Sequence, residues 1–172
     1  MKKFYPLLFS ILILLFVISI SKCFSIYFFL QLTDSMPKGI YLRKKIPEKI
    51  EVGDIIVFRP PYIAKKLIYN RGWYLFKKKY NLIKQVMAVE GDEVKINLKD
   101  GLLINNKYVG PVCEYDSKGL PLPVFKGKFK ILKNEIFFVS SYCKNSFDSR
   151  YFGPVKKNSL IGIAIPFIVF DS

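Results

Sequence analysis

The chain begins with an uninterrupted apolar run, and this run constrains the fold more than any other feature of the 172 residues. Between Lys3 and Lys22 lie 18 uncharged, mostly apolar residues, from Phe4 to Ser21. As a helix, at about 1.5 Å of rise per residue, they would span roughly 27 Å, which is close to the hydrocarbon thickness of a bilayer. The run therefore predicts one N-terminal transmembrane helix, and we assign residues 1–30 to a membrane anchor.

A cleaved signal peptide is the alternative interpretation of the same run. Lys2 and Lys3 form a basic start, and the sequence Ser-Ile-Ser at 19–21 is a small-x-small site of the kind that precedes cleavage. However, the run is longer than the usual signal core of about 7 to 15 residues. Residues 23–32 also continue without charge, so we favour an anchor that is retained.

The rest of the chain, residues 31–172, has the pattern of a β-rich domain. Short β-branched and aromatic runs alternate with Gly, Pro, Asn and Asp, which predicts at least five strands. An apolar content of 51% supplies ample core for one such domain. Strands are predicted at 55–58, in a meander over 93–110, and at 135–141 and 160–170. The turns and stops that bound them include Gly53-Asp54, Pro60-Pro61, Asp100-Gly101 and Asn105-Asn106.

Positive charge is the second strong feature, since 28 Lys and Arg against 13 Asp and Glu give a formal net charge of +15. Such an excess is found in proteins that bind nucleic acid or an anionic membrane face. Only four of the cations are arginines, the better readers of bases, so we expect no nucleic-acid partner. Aromatic residues and lysines interleave from Tyr62 to Tyr80, which favours a membrane-interfacial segment, and membrane lipid as a partner, over a plain solvated loop.

Ser35 follows the apolar run in a chain that contains no histidine. A serine hydroxyl is a poor nucleophile near neutral pH and needs a general base from another residue type. A lysine can serve only if an apolar site lowers its pKa far below the free value of about 10.4. Lys84 is the candidate, because period-two alternation places it on one strand face with Leu82, Val86 and Ala88. Taken alone, such a lysine is more often a snorkelling surface residue.

A polar segment from Asn145 to Pro154 contains two serines, an aspartate and an arginine between predicted strands. We expect Asp148 and Arg150 to form an ion pair that braces this loop. Either Ser146 or Ser149 is then free to hydrogen-bond a neutral amine and orient it. An ordinary polar turn with a surface ion pair is the alternative.

The domain also contains two cysteines, Cys113 and Cys143, which make an even pair, while Cys23 lies at the edge of the predicted anchor. In a domain outside the cytoplasm the pair could form a disulfide. Two unpaired buried thiols are the alternative, and the sequence does not decide between them.

Four motifs follow the apolar run in order: S-M-P-x-G-x-Y from Ser35, G-D-I-I-V-F from Gly53, K-x-V-x-A-x-x-G-D-x-V from Lys84 and S-F-D-S-R-Y-F-G-P-V from Ser146. Taken in order, these motifs resemble the type I signal peptidase family of Ser/Lys proteases, and most closely its TraF branch from conjugative transfer. CEYDSKGLPLP, residues 113–123, is similar to the same branch. The resemblance implies a coiled β-sheet or partly open barrel behind the anchor.

The resemblance also implies a role for each residue that matches a motif position. Ser35 matches the nucleophile and Lys84 matches its general base. Thr33 matches the residue whose hydroxyl joins the backbone N–H of Ser35 in the oxyanion hole. The residues that would orient and brace the lysine are Ser146, Asp148 and Arg150. The reaction of this family implies no metal and no cofactor.

The implied function is that of a membrane-bound serine endopeptidase that removes signal or leader peptides from exported precursors, here a conjugative pilin precursor. Lys2 and Lys3 favour a cytoplasmic N-terminus, which would place the domain on the periplasmic face of the inner membrane. The chain reads SSYCKN where housekeeping enzymes carry a Gly-Asp-Asn stretch and an arginine, which speaks against a general secretory role. A non-catalytic, membrane-anchored assembly or binding protein of a secretion or conjugation apparatus is the alternative.

Overall fold

The structure is a computed structural model of the full chain, and it describes residues 5–23, 27–73 and 81–170. One helix, α1 (Tyr5–Cys23), precedes a domain in which strands predominate. Two short helices, α2 (Tyr62–Asn70) and α3 (Ser149–Phe152), belong to that domain. The predicted mainly β class is therefore confirmed.

Eleven strands lie within the described part of the chain, and they form two antiparallel sheets. In chain order the strands are β1 (Tyr27–Gln31), β2 (Gly39–Lys44), β3 (Ile55–Phe58), β4 (Leu82–Ala88), β5 (Glu93–Asn97), β6 (Gly101–Ile104), β7 (Lys107–Gly110), β8 (Gly127–Lys130), β9 (Glu135–Val139), β10 (Val155–Lys156) and β11 (Leu160–Val169). The larger sheet has the order β1-β2-β11-β3-β4-β9-β10, and the smaller has the order β7-β6-β5-β8. Neither sheet closes on itself among the described strands.

Local turn chemistry explains several strand boundaries. β3 occupies residues 55–58 as predicted, and α2 begins directly after Pro61, whose ring suits a helix start. Asn105 and Asn106 have φ angles of 51° and 63°, so they form the left-handed two-residue turn that joins β6 to β7. Gly101, with a φ of 78°, begins β6 after the turn from β5. The predicted meander is confirmed.

β9 lies at the centre of the core and is buried on both faces, which explains its continuous apolar run. Phe137 and Val139 pack in a cluster with residues of β5 and β6. Ile136 and Phe138 pack in a second cluster with β3, β4 and α2, where the rings of Phe138 and Phe58 stack at 4.3 Å. Each such side chain contributes roughly 1.5–3 kcal/mol when fully buried. One of the two strands that flank β9 in the larger sheet is β4, which contains Lys84.

The helix α1 covers most of the predicted anchor, and many of its large apolar side chains are exposed, including Leu7, Phe9 and Phe16. None of the helices in residues 5–23, 27–73 and 81–170 combines the length and hydropathy that crossing a membrane requires. The predicted transmembrane helix is therefore not supported.

The segment predicted to lie at the membrane interface, Tyr62 to Tyr80, begins with α2. Ala64 and Ile68 of this helix are buried against the core, whereas Tyr62 and Ile63 are exposed. The helix therefore has one face on the domain and one face away from it. Residues 74–80 of the predicted segment lie outside the described residues.

Candidate active site

Ser35 lies in the turn that joins β1 to β2. The side chain of Met36 is 1% exposed and packs in a cluster with Tyr41 of β2. The Tyr41 hydroxyl in turn donates a hydrogen bond to the carbonyl oxygen of Pro37 at 2.9 Å. These contacts anchor the chain directly after Ser35 and leave Ser35 itself only half-buried.

Two contacts with distant strands fix the position of this turn. Gly39 passes so close to β11 that a Cβ there would lie 2.2 Å from the carbonyl oxygen of Ile168, so only glycine fits. Ser140, at the end of β9, donates a hydrogen bond from its Oγ to the carbonyl oxygen of Ser35. The sequence analysis did not identify Ser140, because its partner is 105 residues away along the chain.

Thr33 places its hydroxyl beside that of Ser35, with 3.1 Å between the two oxygens. Gln31, at the end of β1, is only 6% exposed and was also not identified from the sequence. Its Nε2 donates to the carbonyl oxygen of Thr33 at 2.9 Å and to Thr33 Oγ1 at 2.7 Å. A short hydrogen-bonded chain therefore runs from a buried amide through Thr33 to Ser35.

Lys84 faces inward on β4, on the same side as Leu82 and the fully buried Val86, as its strand pattern predicts. The predicted position of Ala88 on this face is wrong, because a bulge between Val86 and Ala88 turns Ala88 to the other face, where it pairs with Phe137.

The side chain of Lys84 is 4% exposed. Burial lowers the pKa of the Lys84 amine to about 8; the Asp148 carboxylate opposes this shift, and Arg150 adds to it. A lysine with this pKa is largely neutral at mildly alkaline pH and can then accept a proton.

The loop beside Lys84 is built around the ion pair of Asp148 and Arg150, whose side chains are 0% and 2% exposed. The contact is bidentate, because Arg150 Nε and Nη2 each donate to one oxygen of Asp148 at 2.8 Å. Arg150 Nη1 and Nη2 also donate to the carbonyl oxygens of Pro111 and Ser146, at 2.7 and 3.1 Å. One guanidinium group therefore ties Ser146 and Asp148 to the backbone at Pro111.

Ser149 and Ser146 differ in the use of their hydroxyls. Ser149 Oγ accepts a hydrogen bond from the backbone N–H of Phe138 at 3.0 Å, so this hydroxyl is already bonded to β9. Ser146 is 4% exposed, and its Oγ has no hydrogen-bond partner within the described part of the chain. Of the two serines that the sequence offers, Ser146 is thus the one whose hydroxyl is available to an amine.

A cavity of about 300 Å³ brings the main candidates together, since Thr33, Ser35 and Lys84 all line it. The part of its lining that comes from β4 and the 145–147 loop is called the strand wall below. The part that comes from α2, the residue Trp73 and the 113–123 loop is called the helix–loop wall. The Ser35 hydroxyl and the Lys84 amine thus belong to side chains that line one cavity.

The helix–loop wall is held by an ion pair between Arg71 and Asp116, which are 12% and 5% exposed. Arg71 caps the C-terminal end of α2 and also donates from Nη2 to the carbonyl oxygen of Pro121 at 2.6 Å. Asp116 Oδ1 accepts from the backbone N–H groups of Lys118 and Leu120 at 2.8 and 2.9 Å. One carboxylate thus shapes the loop and ties it to the helix. The sequence analysis included Asp116 in a motif but offered no partner for it.

The two cysteines of the domain are free thiols in the structure, and both are half-buried. Cys113 Sγ lies 3.6 Å from Asn145 Oδ1, a weak hydrogen-bonding contact. The structure thus corresponds to the second alternative, unpaired thiols, and does not contain the disulfide.

Comparison with known proteins agrees with these motifs. Residues 1–169 match the model of the family described as "Signal peptidase, peptidase S26". The chain is 30% identical over 146 residues to the "Plasmid transfer protein TraF" of Escherichia coli, covering 80% of this chain and 81% of that protein. It is 29% identical over 151 residues to the "Conjugal transfer protein TraF" of Agrobacterium fabrum, covering 82% of each.

More distant matches are to signal peptidases. The "Probable signal peptidase I-1" of Synechocystis is 27% identical over 119 residues, which cover 67% of this chain and 53% of that protein. A crystal structure of a signal peptidase I from Enterococcus faecalis superimposes with a TM-score of 0.41 at 21% identity, covering 69% of this chain and 98% of that one. On the strength of the family match over nearly its whole length, the chain belongs to the signal peptidase family, peptidase S26.

Proposed function

We propose that this protein is a serine endopeptidase that cleaves signal or leader peptides from exported precursors, with Ser35 as the nucleophile and Lys84 as the general base. The observation that carries the proposal is the cavity that Ser35, Thr33 and Lys84 line together. Burial of the lysine supports it, because a pKa of about 8 makes the neutral amine accessible near the pH at which proteins are exported and assembled.

The proposed first step is proton transfer from Ser35 to Lys84. Neutral Lys84 accepts the hydroxyl proton of Ser35 as the oxygen attacks the scissile carbonyl carbon. The carbonyl oxygen becomes an oxyanion, which the Ser35 backbone N–H and the Thr33 hydroxyl stabilise by hydrogen bonds. Because these donors are in place before the reaction, little reorganisation is needed when charge develops.

The second step returns the proton. The Lys84 ammonium donates it to the leaving amine as the peptide bond breaks, and an acyl-enzyme on Ser35 remains. Water or an incoming peptide amine then resolves the ester. We propose that the Ser146 hydroxyl, which has no partner among the described residues, orients the lysine amine during the reaction, and that the Asp148–Arg150 pair keeps Ser146 in place.

The names of the relatives support a narrower substrate. Both relatives at about 30% identity are transfer proteins of plasmid or conjugal systems, which favours a dedicated pilin precursor over general preproteins. We propose that the protein works at the periplasmic face of the inner membrane, where such precursors are held by their own signal helices. Exposed apolar side chains on α1 and β1, among them Leu8, Phe16 and Phe28, support contact with lipid.

The test is incubation of the purified full chain with a candidate pilin precursor beside a standard preprotein, with product masses measured. Ser35→Ala and Lys84→Ala should each abolish cleavage, and Lys84→Arg should fail as well because a guanidinium does not release its proton. Lys95→Ala is the matched control, since Lys95 is also a strand lysine but is exposed. Substantial cleavage by any of the three dyad variants would contradict the proposal, and product masses would separate hydrolysis from peptide joining.

A further inference from the structure

We infer that Gln31 is a positioning residue that sets the direction of the Thr33 hydroxyl, so that this hydroxyl donates its proton toward the reacting oxygens. The inference rests on the proposed function, because it assigns Gln31 a part in the oxyanion hole that Thr33 would form. It goes beyond that proposal, since Gln31 matches none of the motifs by which the family is identified and lies two residues before Thr33 on β1.

Donor and acceptor chemistry determines which way the Gln31 amide faces. The backbone carbonyl oxygen of Thr33 can only accept a hydrogen bond, and it lies 2.9 Å from the amide nitrogen of Gln31. The nitrogen end of the amide must therefore point to Thr33. The same nitrogen lies 2.7 Å from Thr33 Oγ1, so both of its protons are donated to one residue.

The direction of the Thr33 hydroxyl follows. A hydroxyl has one proton to donate and two lone pairs to accept with, and one lone pair of Thr33 Oγ1 receives the Gln31 proton. The hydroxyl proton is then left for another acceptor. Ser35 Oγ lies within hydrogen-bond distance at 3.1 Å, and donation to it places that proton beside the nucleophile and the oxyanion that forms next to it.

Burial explains why this arrangement requires a glutamine. Gln31 is 6% exposed, whereas Thr33 is exposed, so a free Thr33 hydroxyl would rotate and exchange hydrogen bonds with water. The backbone of Gln31 is held by antiparallel pairing with Gly39 across β1 and β2. The backbone of Gln31 is therefore fixed by the sheet. Because its buried amide donates both protons to Thr33, the amide sets the direction of the exposed Thr33 hydroxyl.

The first experiment measures cleavage of the precursor by the full-length protein carrying Gln31→Met, which keeps an unbranched side chain but removes the donor. We expect kcat to decrease about three- to tenfold, as for one lost hydrogen bond, with KM and the pH midpoint unchanged. Gln85→Met is the matched control, because the Gln85 amide bonds to Gly53 and Ser141 instead. Its kcat should equal that of the unaltered protein.

The decisive measurement is a double-mutant cycle with Thr33→Val. Thr33→Val alone should lower kcat about a hundredfold, and adding Gln31→Met should cost less than about a further twofold if Gln31 acts only through Thr33. Equal losses in both backgrounds, or unaltered kcat in the single variant, would overturn the inference. If Gln31→Met does not fold, Gln31→Leu serves, since its side chain also cannot donate a hydrogen bond, and the same loss is expected.

Failure of this inference is distinguishable from failure of the proposed function. If Ser35→Ala abolishes cleavage and Gln31→Met has no effect, only the role of Gln31 is refuted. If Ser35→Ala retains cleavage, the proposed function and this inference are both refuted, because no oxyanion then forms beside Thr33.

Discussion

Two buried Arg–Asp ion pairs support the cavity, and they are built in different ways. Asp148 is the N-cap of α3 and Arg150 lies two residues later, within that helix, and both are almost completely inaccessible. Arg71 and Asp116 lie 45 residues apart, join the end of α2 to the 113–123 loop, and keep more contact with solvent. The first pair stands behind the strand wall and the second within the helix–loop wall.

The two ion pairs also differ in what they affect: the first acts on the proposed general base, and the second acts on the shape of the cavity. Asp148 and Arg150 both act on the pKa of Lys84, with opposite signs, so this pair influences the proposed base directly. Asp116 itself lines the cavity and organises the backbone of its loop, which limits the space for substrate. We therefore expect the local pair to govern stability and catalytic rate, and the long-range pair to govern substrate binding.

The largest expected effect is on stability. Arg150→Met leaves Asp148 as a buried charge without its partner, which should lower the free energy of unfolding by about 3–5 kcal/mol. Arg71→Met should cost less, because water can reach the more exposed pair and solvate Asp116. Urea unfolding of the two full-length variants measures both losses. An equal or larger loss for Arg71→Met would contradict the distinction.

A smaller effect is expected on catalytic rate at the strand wall. Ser146→Ala keeps Lys84 but removes the hydroxyl that would orient its amine, so kcat should fall roughly tenfold to a thousandfold while KM stays unchanged. Ser159→Ala is a matched control, because Ser159 Oγ bonds only to the backbone oxygen of Lys156 at an exposed site. Steady-state kinetics on the precursor gives both constants. Unaltered kcat for Ser146→Ala would remove Ser146 from the site.

At the helix–loop wall the effect should be on KM. Asp116→Asn removes the charge that pairs with Arg71 and weakens the loop, so KM should rise by about tenfold or less, the equivalent of one hydrogen bond. Since Asp116 does not act on Lys84, kcat should remain close to that of the unaltered protein. A fall in kcat with constant KM would show that this wall takes part in the chemistry.

The smallest expected effect is a displacement of the pH profile. Protonated Lys84 cannot accept a proton, so kcat/KM should be lost below a midpoint near pH 8 and rise above it. Asp148 raises the pKa of Lys84, so Asp148→Asn should move the midpoint to lower pH, whereas Asp116→Asn should not move it. Initial rates measured from about pH 6 to pH 10 test this pair of variants. Equal displacement by both would refute the assignment of the strand wall to chemistry.

Much of the site was predictable because its signals are local. Lys84 faces inward since a strand alternates its side chains, and that period can be read from its neighbours. Asp148 and Arg150 can pair because residues that are two positions apart along the chain are necessarily close in space. The turn at Asn105-Asn106 likewise depends only on residues that tolerate left-handed backbone.

Other expectations depended on more than a local pattern: the structure does not support one of them and corresponds to the second alternative of the other. The apolar run at the N-terminus predicts a membrane-spanning helix, yet no described helix has the required length and hydropathy. An even number of cysteines allows a disulfide, but Cys113 contacts Asn145 and both thiols are free. The number of cysteines and the composition of a segment do not determine which side chains come into contact in the fold.

By itself the sequence determined the β-rich class, the inward face of Lys84 and the motifs that contain Ser35 and Ser146. Only the tertiary structure decided that Ser140 would hold the backbone of Ser35, that Arg71 would find Asp116, and that a buried Gln31 would direct Thr33. The physical reason is the same in each case. Backbone periodicity and turn preferences act over a few residues, whereas the partner of a hydrogen-bonding side chain is set by which strands and loops the fold brings within about 3 Å of it.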